Sequence, residues 1–438
     1  MTTTQTPINN AGQWLKLGMI AVALATLLAV LLIAGKTPLL SSLLPDENSF
    51  QRALVLHVDL NMTLWVGAIA CFFWGATLDT WINRMGAWMA TAGFALWIFA
   101  YLIPSAPILN NYMPVFDTPS YFLGLVLIIG SFCWMALQWL LHQHVNGNSP
   151  EKPSVLAWSK SVMALLLLSA VANALLSMVL LEMQMHDARY FEQLFWGPGH
   201  IWQLFALQVM VTAWLYFMPD TQPMSVLERW LWKVPIIGAI AGLLIPVVIH
   251  PDTDLYRALF THYMRFGSLW VLPIVLRIYS QRSDDWLSPQ RLSGSLFILG
   301  LVIGTLIRND NLMVPAHYHA MTGAVNLAIM AYVMHRLTTN AGSLFIVKLQ
   351  MTIYSVGVFL LATGLAWSGL LGGMRKLTLA AQLVDDWQHL AVLTLMGLGG
   401  LMAIGGIFLF LGISLSFLRK KTGIFRPISL EHARFEAK

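Results

Sequence analysis

Apolar positions in this chain come in long unbroken runs, not in the alternation of strands or the one-faced stripe of a water-soluble helix. A helix needs roughly 17–25 apolar residues to cross about 30 Å of hydrocarbon. About twelve runs qualify, near 13–35, 53–78, 84–104, 119–143, 155–181, 190–218, 229–250, 255–280, 290–308, 314–338, 346–373 and 387–418. The stretches between them are too short to hold a soluble domain. The pattern predicts an all-α integral membrane protein, one polytopic bundle over residues 1–438, because helices pair their backbone groups internally in lipid. The first run is flanked by Lys16 and lacks a small-residue cleavage site, so it reads as a retained helix and not a signal peptide.

Composition narrows the class. Hydrophobic residues make up 58% of the 438 and charged residues 10%, against roughly a quarter charged in soluble domains. The net charge of +5 is thin and spread out, which excludes a nucleic-acid module. Two cysteines, Cys71 and Cys133, exclude a disulfide scaffold, a thiolate zinc site and CxxC-based haem attachment. Seventeen of the 25 Lys and Arg fall on the side shared by the N-terminus, the even-numbered loops and the C-terminal tail. The positive-inside rule then puts both termini in the cytoplasm, and a bacterial-type inner membrane is the expected location.

Ionisable residues inside spans are costly, so their positions carry information. Of twelve histidines, His142, His144, His335 and His432 lie at inner loops or the tail and His186 in an outer loop, where a solvated role suffices. The other seven sit toward the outer ends of six spans: His57 in the second, His200 in the sixth, His250 in the seventh, His262 in the eighth, His317 and His319 in the tenth, His389 in the twelfth. Solvated helix ends account for a few. Their common depth favours a buried haem or metal layer. At about 100° per residue, His317 and His319 project about 200° apart, so one helix either offers a ligand to each of two haems or places one imidazole in the core and one at the interface. Trp196-Gly197-Pro198-Gly199-His200 either lines a cavity or marks where a helix begins.

These residues resemble a known family. Ala316-His317-Tyr318-His319-Ala320, running on to Asn326-Leu327-Ala328-Ile329, is similar to the tenth helix of the haem–copper oxidase superfamily catalytic subunit, its continuation most of all to the nitric oxide reductase branch. Phe195-Trp196-Gly197-Pro198-Gly199-His200 resembles the sixth-helix metal motif of the oxidases. Leu56-His57 with Phe72-Phe73-Trp74-Gly75 resembles the second helix, and Gly373-Met374-Arg375-Lys376 the basic pair that holds haem propionates. The resemblance covers essentially the whole chain. It implies two haems, b-type: a low-spin haem on His57 and His319, and a high-spin haem on His317 with its other face open. It also implies a non-haem metal, copper or iron, on His200 and His250, and propionates neutralised by Arg375 and Lys376.

The departures are specific. The family keeps a histidine pair at the end of the seventh helix, and here Ile249 precedes His250, so the second metal is weakly held or absent. The fourth residue after His200 is Leu204, where oxidases keep a tyrosine and nitric oxide reductases a carboxylate. Gln203 beside it cannot supply a proton, and residues 244–248 hold no tyrosine. His262 and His389 have no family role; each is a structural histidine or an alternative ligand. Asp59 either steadies the low-spin site or faces outer water. In the inner half Lys160, Ser161, Ser169, Thr212 and Ser268 are too sparse for a proton channel, so pumping is expected to be weak or absent. Electrons would come from a partner subunit, a soluble cytochrome c or cupredoxin, or quinol.

The resemblance therefore implies a membrane respiratory-type oxidoreductase that reduces a diatomic. The missing tyrosine favours nitric oxide, and the sixth-helix motif keeps dioxygen as the alternative. A second class is a haem-binding electron-transfer or gas-sensing subunit without turnover, which Ile249 favours. A third, a secondary transporter, lacks the expected repeat halves and midplane breaks.

Overall fold

The computed structural model describes residues 7–36, 47–146, 154–182, 187–218, 233–281, 287–308, 310–337, 341–374 and 387–420. Among these the chain builds twelve helical rods, one on each apolar run. The first is α1 (Pro7–Lys36). The second joins α2 (Glu47–Val58), a π-helical stretch (Asp59–Trp65) and α3 (Val66–Gly75). Then come α4 (Thr80–Leu102), α5 (Pro119–Asn146), α6 (Val155–Leu180), α7 (Ala188–Leu215) and the short α8 (Val234–Val248). The eighth rod is α9 (Asp254–Gly267) and α10 (Leu272–Ser280) around a single 3₁₀ turn. It is followed by α11 (Pro289–Leu306), α12 (Met313–Leu337), α13 (Ala341–Leu370) and α14 (Trp387–Lys420).

Nine rods among the described residues are long and apolar enough to cross a membrane, which makes this a multi-pass membrane protein. The other three are α7, α8 and α12, and two of them carry the central histidine motifs. Both are wrapped by neighbours: residues 204–214 of α7 and 323–334 of α12 are buried without interruption. A helix enclosed on every side has no lipid face to make apolar, so it can hold polar groups that a peripheral rod cannot.

Close approach of rods relies on missing side chains. A Cβ on Gly357 of α13 would overlap the backbone at Ala403 of α14, and one on Gly399 would overlap the backbone at Leu361. Small residues let the two backbones touch, the packing that replaces hydrophobic drive in lipid.

Three local features go beyond what the apolar runs encode. The second rod is not a uniform α-helix: seven residues after Val58 wind more loosely, and such insertions concentrate at functional sites. Pro198 does not mark the start of α7, which runs through it as one helix, and together with Gly199 it lines a cavity, the other alternative of the sequence reading. The connection after α4 folds into a small hairpin of β1 (Pro107–Ile108) and β2 (Val115–Phe116), with Pro107 opposite Phe116 and Ile108 opposite Val115. Arg52 of α2 pins its base by donating to the carbonyls of Tyr101, Ile103 and Ser105.

Candidate functional site

A cavity of about 920 Å³ opens among the rods near the hairpin. His57 of α2 and His319 of α12 both line it. Each imidazole is set the same way. His57 Nδ1 lies 2.8 Å from the carbonyl of Ala25, and His319 Nδ1 lies 2.7 Å from the carbonyl of Pro315. A carbonyl only accepts, so Nδ1 carries the proton and Nε2 keeps its lone pair. Neither Nε2 has a hydrogen-bond partner among the described residues. That is the tautomer of a metal-ligating histidine with its orientation fixed from behind.

The π-helical stretch shapes the wall beside His57. Looser winding frees carbonyls, and Trp202 Nε1 donates to that of Met62 at 3.0 Å. Asn326 Nδ2 of α12 then donates to Asn61 Oδ1 at 3.2 Å, while Trp65 Nε1 donates to Asn326 Oδ1 at 3.0 Å. The asparagine of the Asn326-Leu327-Ala328-Ile329 motif therefore ties the His319 helix to the His57 rod.

His317 points elsewhere. It does not line this cavity; its Nδ1 lies 2.8 Å from the Gly300 carbonyl of α11, with the ring against Gly304. The two histidines of α12 thus serve different neighbours, in line with their spacing.

His200 and His250 are engaged at both ring nitrogens. His200 is buried, with Nδ1 2.6 Å from the Trp196 carbonyl and Nε2 2.9 Å from the hydroxyl of Tyr112. His250 is exposed just beyond α8; its Nε2 lies 3.0 Å from the Leu180 carbonyl, and its Nδ1 accepts from the Asp252 amide at 3.2 Å. Asp252 in turn takes Arg189 at 3.3 Å and Gln193. Among the described residues no three His, Cys, Asp or Glu converge as a metal site requires.

Tyr112 escaped the sequence reading, and a lone tyrosine in an Asn- and Pro-bearing connection gives no signal to find it by. It sits at the hairpin tip, where Asn110 Oδ1 accepts from the amides of Tyr112 (2.9 Å) and Met113 (2.8 Å). The glycines of the sixth-rod motif make room for two tyrosines: a Cβ on Gly199 would overlap the Tyr112 ring that bonds His200, and one on Gly197 the Tyr256 hydroxyl.

The remaining expected residues are accounted for singly. Leu204 is buried against Gly238 and Gly267, so the place of a tyrosine or carboxylate is filled by packing. Gln203 lines the cavity. Asp59 neither faces water nor lines the cavity: it is fully buried, and the Tyr121 hydroxyl donates to its Oδ2 at 2.6 Å. His262 is exposed and stacks on Phe266. The inner-half hydroxyls bond locally, Ser169 to the Ala239 carbonyl, and Ser159 with Thr212 and Gln208. Arg375, Lys376, His186, His432 and the His389 side chain lie outside the described residues.

Haem fits the first constellation: two neutral imidazoles with free Nε2 atoms face one largely apolar cavity at the upper end of the 300–1,000 Å³ range of cofactor pockets. A non-haem metal does not fit the second, because binding it would break the Tyr112 bond at His200 and the Leu180 or Asp252 bond at His250.

No family model matches the chain. It is 24% identical to an uncharacterised protein of Rickettsia prowazekii (strain Madrid E), over 92% of this chain and 94% of that one. It is also 24% identical to an uncharacterised protein of Aquifex aeolicus (strain VF5), over 73% of this chain and 82% of that one. Among solved structures it is similar to a haem–copper terminal oxidase determined as a dimer by cryo-electron microscopy. The TM-score is 0.66 at 15% identity, covering 95% of this chain and 84% of that one. At that identity the likeness is one of fold, and it extends over nearly the whole chain.

Proposed function

We propose that this chain is a haem-bearing membrane oxidoreductase of the respiratory type, with a b-type haem held between His57 and His319. The observation that carries this reading is the pair of imidazoles on separate rods, both lining one cavity, each with Nδ1 held by a carbonyl and Nε2 without a hydrogen-bond partner among the described residues. Bound there, haem supplies one-electron transfer. The chain's own part is to fix both imidazoles, keep water out with apolar walls and tie the two rods through Asn326. With two cysteines and no CxxC, electrons come from a partner subunit, a soluble cytochrome c or cupredoxin, or quinol.

The finer reading is reduction of a diatomic at a second, high-spin haem on His317. Its support is that His317 turns away from the His57 cavity with Nδ1 held by Gly300. Nitric oxide is favoured over dioxygen because Leu204 packs where a tyrosine would stand. Arg375 and Lys376 are assigned to propionates. No step runs through a metal on His200 and His250. Their engaged nitrogens favour a second reading, a haem electron-transfer or gas-sensing subunit without turnover.

Difference spectra of the purified, detergent-solubilised protein test both. His57→Ala and His319→Ala are expected to abolish a six-coordinate haem signal, and His317→Ala to abolish carbon monoxide binding while that signal stays. Loss of the six-coordinate signal in His317→Ala overturns the ligand assignment. A single six-coordinate haem, with no carbon monoxide binding and no consumption of nitric oxide or dioxygen, selects the second reading. Absence of haem removes both.

A further inference from the structure

The hairpin tip is the roof of the cavity. Residues 109–114 all line it, and they are fastened from several helices. Glu192 Oε2 of α7 accepts from the Asn111 amide at 2.9 Å, and the Tyr318 hydroxyl of α12 donates to the Asn111 carbonyl at 3.2 Å. Tyr318 lies between His317 and His319, so the roof is joined to the ligand-bearing helix itself. The next residue, Tyr112, is fastened to His200, its hydroxyl 2.9 Å from Nε2.

Hydrogen accounting fixes the sense of that bond. His200 Nδ1 faces a carbonyl and must carry the proton, so Nε2 accepts and the Tyr112 hydroxyl donates. The ring of Tyr112 also packs on His200 and on Trp196, with centroids 4.8 and 5.3 Å away. Gly199 is what lets it come so close. The lone pair that a metal would need is thus the one the roof uses.

We propose that His200 is the latch of this roof and not a metal ligand: Tyr112 takes the place of the second metal, and the chain carries no copper or non-haem iron. The role of the roof, closing the cavity over haem, rests on the function proposed above; the latch and the missing metal do not.

Three measurements on the full-length protein in detergent separate these. First, copper and iron are counted against haem in protein from copper- and iron-replete cells. No metal beyond haem iron is expected; one non-haem metal per chain in the wild type that is lost in His200→Ala overturns the proposal. Second, hydrogen–deuterium exchange at residues 109–114 is compared in wild type, Tyr112→Phe and His200→Ala, whether or not haem is present. Losing one hydrogen bond is expected to speed exchange about two- to tenfold in both variants, and unchanged exchange in both overturns the latch. Third, haem transfer to apomyoglobin is expected to quicken in Tyr112→Phe with the six-coordinate spectrum unchanged. An unchanged rate alongside faster exchange overturns the roof role alone, and absence of haem in wild type counts against the proposed function and leaves the first two readouts to decide the latch.

Discussion

At the scale of single residues, burial decides what each polar group does. Asp59 is fully buried, one carboxyl oxygen taking the Tyr121 hydroxyl and the other without a partner among the described residues. Removing only one member of such a pair costs the most, because the survivor stays desolvated. Tyr121→Phe is therefore expected to destabilise the protein by about 1–3 kcal/mol, and adding Asp59→Leu should restore part of that. Thermal unfolding in detergent checks it; a double variant no more stable than Tyr121→Phe would show that the two groups are not coupled. The sequence marked Asp59 as close to His57 but could not name Tyr121, which reaches it from the next rod but one. That His317 and His319 serve different neighbours was legible because spacing on one helix decides which faces they share. His200 was legible as a buried imidazole but not as the acceptor of Tyr112, since that contact comes from a loop whose path no periodicity encodes.

Among elements, the legible part is what lipid enforces. Apolar runs must be helices and must be long, so all twelve rods were visible, with ends wrong by a few residues. The π-helical stretch, the break near Ser268 and the β1–β2 hairpin were not, because each is set by tertiary contacts such as Trp202 on the Met62 carbonyl and Arg52 on the hairpin base. The Gly-Pro-Gly of α7 shows how an element's surface is cut to fit a neighbour. Gly199→Ala puts a methyl group into the Tyr112 ring, and crowding of this kind costs about 1–3 kcal/mol. The ring is on a loop and can retreat, so we expect α7 to stay intact while the Tyr112–His200 bond opens. Exchange at 109–114 should then match that of Tyr112→Phe, with little change in the exchange of 204–214. Protection kept at the hairpin tip, or loss spread through α7, would show that the glycine serves helix packing instead.

For the whole molecule, the cavity joins rods far apart in the chain, and its proposed ligand would bolt rod two to rod ten. A ligand that binds the folded state alone adds RT ln(1 + [L]/Kd) to stability, about 2.7 kcal/mol at a hundredfold excess over Kd. The wild type loaded with haem should thus unfold at a clearly higher temperature than the haem-free protein. Each imidazole is needed for the bolt, so His57→Ala, His319→Ala and the double variant should lose nearly the same amount, far from the sum of two independent losses. His317→Ala should keep the bolt and most of that stability. The comparison separates a haem that joins rods from one held at a single helix: if His57→Ala alone left the haem-dependent gain in place, the axial pair would be wrong and the cavity would have to be read as a site for something else.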